Sequence, residues 1–183
     1  MTPWHLVPDA LSGEDCQRLV ALCTDAPRRE AALVSGKTAP DIRRASLVWL
    51  DDVPAAAWAM DRMTTAIAAA NRERFGYDLR EFGESAQVAA YAASEQAHFD
   101  WHSDIGAGHW AAQRKLTAVV QLSAPEDYEG GLLEVWAGHA PDAAPLLQGG
   151  AAVFPAQMLH RVTPMTRGTR WSLTLWAHGP AFR

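Results

Sequence analysis

From Gly83 onward the chain is divided into short alternating segments, and this limits the possible folds more than any other feature. The segments are AQVAAYA (86–92), AHFDWHSD (97–104), KLTAVVQLS (115–123), LLEVW (132–136), AAVF (151–154) and TRWSLTLWAHG (169–179). Runs of this length with period-two patterning suit strands. Between them lie GAG, APEDYEGG, APDAAP, GG and RG, whose Gly, Pro and Asp residues supply turn angles. Many short strands separated by regular turns predict a sandwich or barrel.

Two helices precede the strands. Ser12 can cap the first, with Asp15 adding a favourable charge in its first turn, and the helix should run to about Thr24 before Pro27 ends it. Cys16 and Cys23 fall on one face of it with Leu19 and Val20 between them. Seven residues of helix rise about 10.5 Å, too far for a disulfide, so the pattern predicts buried thiols. Residues 28–41 read as loop and RRASLVWL (43–50) as a strand. Asp52 is the expected cap of the second helix, Pro54 its first-turn proline, and Gly76 its end; Met60, Met63, Ile67 and Ala70 form a core stripe. Helices first and strands afterwards predict an α+β, mainly β fold with the helices packed on one sheet. No repeat, low-complexity tract or linker interrupts the chain. We therefore expect one domain over residues 1–183, with a helical N-terminal part (1–83) and a β core (84–180).

Composition excludes several classes. No apolar run approaches the roughly 20 residues of a spanning helix. The start, MTPWHLVPDALSG, lacks a basic region followed by an apolar one, so a cytoplasmic location is expected. The formal net charge of −5 argues against a nucleic-acid partner, which usually requires a basic surface.

The chemistry is concentrated in HFDWHSD (98–104). It contains His98-x-Asp100 and His102-x-Asp104, and strict alternation would turn all four side chains to one face. A mononuclear iron site with open positions uses two histidines and one carboxylate on one side of the metal. His-x-Asp can supply two of these ligands, and the third must come from a distant strand. His160 is the distinctive candidate because Arg170 follows ten residues later at the head of a strand, sharing a face with Ser172, Thr174 and Trp176. A planar guanidinium beside hydroxyls suits a carboxylate, to which it can donate two parallel hydrogen bonds.

HSD, the distal His160 and Arg170, together with RRASLVWL, YEGGLLEV, GGAAVFP and HRVTPMTRGTRWSLTLW, resemble the iron(II)- and 2-oxoglutarate-dependent dioxygenases. The resemblance is to their prolyl 4-hydroxylase-like branch, including its bacterial members, and it covers roughly residues 43–180. It implies a double-stranded β-helix, or jelly roll, with helices on the major sheet. By resemblance, His102, Asp104 and His160 match the metal ligands and catalytic centre. Arg170 matches the residue pairing with the distal carboxylate of 2-oxoglutarate, and Thr174 matches a position lining that site. Tyr91 resembles a tyrosine that hydrogen-bonds 2-oxoglutarate. Phe99 stands where many relatives carry a second tyrosine, so any polar role there is lost. The turn IGAG after Asp104 and the register of Phe99 favour the second His-x-Asp pair; His98 and Asp100 become candidate supports for the ligands.

The implied cofactors are Fe(II), 2-oxoglutarate and O2, with ascorbate a candidate reductant. The implied reaction hydroxylates an unactivated C–H bond while 2-oxoglutarate is decarboxylated to succinate; a carboxylate at Asp104 favours hydroxylation over halogenation. A peptidyl or free amino acid is the leading expectation for substrate, with another small metabolite the alternative. Trp49, Trp101 and Trp110 are candidates for an entrance, and Arg43 and Arg44 for a substrate carboxylate. Competing classes are a cupin-like isomerase or zinc hydrolase, in which Arg170 has no carboxylate to hold, a nucleic-acid demethylase, and a pure binding module.

Overall fold

In the computed structural model, which describes residues 2–31 and 39–181, the chain runs β1 (His5–Val7), α1 (Gly13–Thr24), β2 (Arg29–Glu30), β3 (Arg43–Arg44), β4 (Ser46–Trp49) and α2 (Trp58–Ala70). It continues through β5 (Gln87–Ala92), β6 (His98–His102), β7 (Arg114–Gln121), β8 (Tyr128–Gly130) and β9 (Leu133–Trp136). The last strands are β10 (Pro141–Ala143), β11 (Ala151–Pro155), β12 (His160–Val162) and β13 (Met165–His178). The strands form two antiparallel sheets. The major sheet has the order β1-β11-β7-β13-β5-β4-β2, with β8 pairing β13, and the minor sheet has the order β10-β9-β12-β6-β3.

The major sheet is buried on both faces, and its alternation sorts residues between two environments. Leu116, Ala118 and Val120 of β7, with Leu173, Leu175 and Ala177 of β13, join the cluster formed by α1 and α2. Their neighbours Thr117, Val119, Ser172, Thr174 and Trp176 line the interior between the sheets. This is a jelly roll with the helices on its major sheet, as the resemblance implies. Cys16, Leu19 and Cys23 of α1 and Met63, Ile67 and Ala70 of α2 supply the helix layer and are buried. Both thiols are free, and burial pushes each up to about 11, so they are inert apolar filler.

Helix α1 starts as expected. Ser12 accepts from the Asp15 backbone N–H, and the Asp15 side chain accepts in return from Ser12 N–H, which satisfies two donors at the helix start. Asp52, in contrast, does not cap α2. Residues 50–56 form two short 3-10 turns, Ala57 is the N-cap, and Asp52 pairs with Arg29 at 2.8 Å. Pro54 favours a turn start as readily as a helix start, so its signal was satisfied one turn early. Gly76 ends the helical run in the left-handed conformation (φ 65°) after a π-helical turn at 71–75.

Further expectations change. RRASLVWL is two strands, β3 in the minor sheet and β4 in the major, with the corner at Ala45. The N-terminal part is therefore not only helical: β1, β2 and β4 extend the major sheet and β3 edges the minor one. The expected loop at 28–41 carries β2, while its residues 32–38 lie outside the described ones. Strands β8, β10 and β12 also fall within stretches that read as turn or loop. Each is three residues long, too short for an alternation to show.

Candidate active site

The pairing register of the minor sheet brings two imidazoles together. His160 of β12 sits directly opposite His102 of β6, and Val162 opposite Phe99. Between these pairs one residue of β12, Arg161, faces two of β6, which is a β-bulge at Asp100–Trp101. The bulge resets the alternation. Phe99 and His102 now share the inner face, their rings stacked 3.4 Å apart at 11°. Asp100 is exposed, and His98 turns to the Gln96 and Asp41 carbonyls. The four His and Asp side chains therefore do not form one row. Asp100 contributes its backbone instead: its carbonyl accepts from His102 Nδ1 at 2.7 Å.

The same device orients the second histidine, whose Nδ1 lies 3.0 Å from the Met158 carbonyl. A carbonyl only accepts, so both Nδ1 atoms carry the proton and both Nε2 atoms present lone pairs. Those Nε2 atoms face the two oxygens of Asp104: His102 to Oδ1 at 3.6 Å and His160 to Oδ2 at 3.5 Å. One ligand atom from each of the three residues lies within 4.8 Å of the others. Metal bonds of roughly 2.1 Å place neighbouring ligand atoms roughly 3 Å apart, so the three side chains would draw closer to seat one ion.

Asp104 follows the end of β6 and has no ladder of its own. Its N–H donates to Ala156 and its carbonyl accepts from Arg114 Nη1, both at 2.9 Å. Thr117 Oγ1 and Trp176 Nε1 donate to Oδ2 at 2.7 and 3.0 Å. Burial alone would raise the Asp104 carboxyl, but His160, His102 and the two donors outweigh it and hold it at about 2. Burial, reinforced by His160, pushes His102 down to about 3. At neutral pH these two groups supply a neutral imidazole and a carboxylate, the protonation states a divalent metal requires.

A cavity of about 520 Å3 contains all three residues and extends to Arg170, Tyr91, Thr174, Trp49 and Trp110. Arg170 is fully buried. Its Nε donates to Gln121 at 2.9 Å, while Nη1 and Nη2 have no hydrogen-bond partner. A buried guanidinium with two unmet donors is costly unless an anion completes it, and burial pushes it below its ordinary value. The Tyr91 ring lies 5.6 Å from its Cζ. Tyr128 is buried beside it with an unmet hydroxyl, and Gln121 has an unmet amide nitrogen. Sequence reasoning missed Tyr128 and Gln121. Tyr128 stands in the quoted YEGG, but nothing local shows which way it points. The cavity therefore suits both groups the resemblance implied, a metal on His102, Asp104 and His160 and a dicarboxylate reaching Arg170.

A profile of the 2OG-Fe(II) oxygenase superfamily matches residues 86–178. The chain belongs to this superfamily. Its cofactors are Fe(II), 2-oxoglutarate and O2. Over 176 residues the chain is 26% identical to a PKHD-type hydroxylase of Synechococcus sp. (strain JA-2-3B'a(2-13)), covering 93% of this chain and 75% of that protein. A shorter match of 62 residues is 44% identical to a PKHD-type hydroxylase of Paracoccus denitrificans (strain Pd 1222), covering 34% of this chain and 27% of that one. Among solved structures, a Pseudomonas putida prolyl-4-hydroxylase superposes with a TM-score of 0.73 at 23% identity, over 97% of this chain and 93% of that one. A Trichoplax adhaerens prolyl hydroxylase, in complex with a hypoxia inducible factor peptide fragment, gives 0.78 at 15% identity, over 96% and 83%. At these identities the structures share this oxygenase's fold.

The remaining expected residues divide. Trp49, Trp110 and Arg43 line the oxygenase cavity. Trp101 does not: it meets Trp136 edge-on at 5.7 Å, with the Arg161 guanidinium 4.7 Å from its ring. Arg44 donates to the Glu95 carbonyl. Arg161 and Arg167 lie in β12 and β13, paired with Glu134 and Glu129 at 2.7 and 3.0 Å. No described helix is long and apolar enough to cross a membrane.

Proposed function

We propose that this oxygenase hydroxylates an unactivated C–H bond of a peptidyl or free amino acid, with residues 1–183 forming one domain whose N-terminal part (1–83), which carries both α-helices, supports a β-helix core (84–180). One observation carries the assignment of residues. The unmet, fully buried guanidinium of Arg170 opens into the same cavity as the His102, Asp104 and His160 cluster. A metal-dependent non-oxygenase would leave that charge uncompensated. The PKHD-type and prolyl hydroxylases among its relatives support hydroxylation, and the peptide-bound neighbour supports a peptide as substrate.

In this reading His102, Asp104 and His160 hold Fe(II), which supplies the activation of dioxygen and the oxidative decarboxylation of 2-oxoglutarate. The Asp100 and Met158 carbonyls keep both imidazoles turned with Nε2 inward. Thr117 and Trp176 occupy Oδ2 of Asp104 and fix the rotation of its carboxylate. Arg170 binds the distal carboxylate of 2-oxoglutarate, with Thr174 and Tyr91 beside it. Phe99, Val119, Leu133 and Val162 give the cavity apolar walls that exclude water from the reacting groups. Phe99 stacks on His102 where a tyrosine would add a donor, so its role is packing. Ascorbate serves as the reductant that keeps the iron ferrous, and the protein acts in the cytoplasm without a nucleic-acid partner.

The test is a screen of peptides and amino acids with Fe(II) and 2-oxoglutarate, reading a gain of one oxygen by mass together with succinate. His102→Ala and Asp104→Ala should abolish both while the protein stays folded by circular dichroism. Succinate at the wild-type rate from Asp104→Ala sinks the assignment.

A further inference from the structure

Glu84 lies outside the matched segment 86–178, yet it is tied to the metal-ligand cluster by an unbroken chain of contacts. Its two oxygens accept from Arg114 Nε and Nη2, both at 2.6 Å, in a bidentate pair. His178 Nε2 lies 2.9 Å from the same carboxylate. The Gly83 N–H donates to His178 Nδ1 at 3.2 Å, so the imidazole proton sits on Nε2 and is given to Glu84. Opposed by burial, these partners still hold the Glu84 carboxyl down at about 2.

Arg114 passes this order to Asp104 by two routes. Nη1 donates to the Asp104 carbonyl at 2.9 Å. The guanidinium also lies over the Trp176 ring, 4.0 Å from its centroid, and Trp176 Nε1 donates to Asp104 Oδ2. A flexible arginine could reach these positions in many rotamers; the bidentate carboxylate selects one. Asp104 needs such support because it lies beyond the last ladder bond of β6. The contacts also reach Trp110 of the cavity lining. Trp110 packs against His178 with ring centroids 5.2 Å apart, and a Cβ on Gly83 would lie 2.0 Å from the Trp110 ring.

We infer that Glu84 is a positioning residue for the metal carboxylate, acting through Arg114 to set the backbone and side-chain orientation of Asp104. The inference rests on the metal-ligand reading above. Removing the charge of Glu84 frees Arg114, and Asp104 then samples orientations that do not meet the two imidazoles. Outer partners of metal ligands contribute about 10- to 100-fold in metal affinity; one link further out, we expect about 10-fold.

The experiment titrates Mn(II) into the full chain and follows free ion by electron paramagnetic resonance, beside urea unfolding of each variant. Wild type should bind one ion, and His102→Ala should lose it. Glu84→Gln should bind about tenfold more weakly while still folded. Arg114→Lys keeps the charge but not the fork, and should lose a similar factor. The double variant should bind no more weakly than the weaker single one, because both changes break the same chain. A purely structural role lowers the urea midpoint and leaves the Mn(II) affinity of the folded protein at its wild-type value, and that result overturns the inference. Losses that multiply in the double variant also overturn it. If Glu84→Gln does not fold, wild-type affinity in Arg114→Lys has the same force. Failure of wild type to bind Mn(II) overturns both the inference and the metal-ligand reading, whereas loss in His102→Ala alone leaves that reading standing.

Discussion

At the residue scale, Arg170 holds a buried charge that its partners only partly meet. It is fully buried, only Nε has a partner, and both terminal nitrogens are unmet. Charged hydrogen bonds contribute roughly 1.5–3 kcal/mol each, so losing even one is a factor of about ten. Arg170→Ala should raise the 2-oxoglutarate concentration needed for half-maximal succinate formation by at least about tenfold, while Mn(II) affinity stays near wild type. Arg170→Lys should fall between, since an ammonium gives one bond where the guanidinium gives two. Equal cosubstrate dependence in wild type and Arg170→Ala would remove the guanidinium from the cosubstrate site. Of the individual residues, His102, Asp104, His160 and Arg170 were legible from spacing and resemblance. Glu84, Tyr128 and Gln121 were not, because their importance lies wholly in partners distant in sequence.

At the scale of elements, short strands are aimed by irregularities at their ends. The bulge in β6 turns Phe99 and His102 inward together. The turn between β8 and β9 has a comparable effect on Arg170. Gly130 and Gly131 both have positive φ, 78° and 59°, a region where other residues are strained. A Cβ on Gly130 would lie 2.2 Å from the backbone oxygen of Pro164; one on Gly131 would meet the Met165 Sδ at 2.3 Å and the Arg170 Cδ at 3.1 Å. Backbone yields less readily than a methionine tip, so Gly130→Ala should cost more stability than Gly131→Ala, each by at least about 1 kcal/mol. Gly131→Ala should in addition weaken 2-oxoglutarate dependence by displacing Arg170. Urea midpoints and succinate titrations separate the two effects; the reverse order of stabilities would show that the turn relaxes elsewhere.

For the whole molecule, three ionisable groups in and beside the ligand cluster share one direction. His102, Asp104 and Glu84 are each held below their ordinary values, from 6.5 to about 3, from 3.8 to about 2 and from 4.5 to about 2. A depressed value means the unfolded chain binds the proton first, so stability is complete above the unfolded value and is lost as pH falls towards the folded one. The metal-free protein should therefore begin to lose stability near pH 6.5 as unfolded His102 protonates, and lose it more steeply below about pH 4.5 as Glu84 and then Asp104 join. Urea unfolding across pH 7 to 3 should show a falling midpoint. His102→Gln should remove the upper part of that fall, and a midpoint flat down to pH 4.5 would contradict the imidazole's environment. The formal charge of −5 has no part in this, because the effect comes from groups inside the cavity.

By itself the sequence determined the class of fold, because period-two alternation and turn residues are local chemistry that any burial must respect. It also singled out the residues of the candidate site, since HSD, His160 and Arg170 carry the resemblance to the family. Tertiary structure alone decided which of the four His and Asp side chains in HFDWHSD face inward, because a one-residue bulge inverts alternation and its position depends on pairing with β12. It likewise split RRASLVWL between two sheets, moved the start of α2 away from Asp52, and joined Glu84 to Asp104 through Arg114. These are contacts between segments far apart in sequence, and no local propensity encodes them.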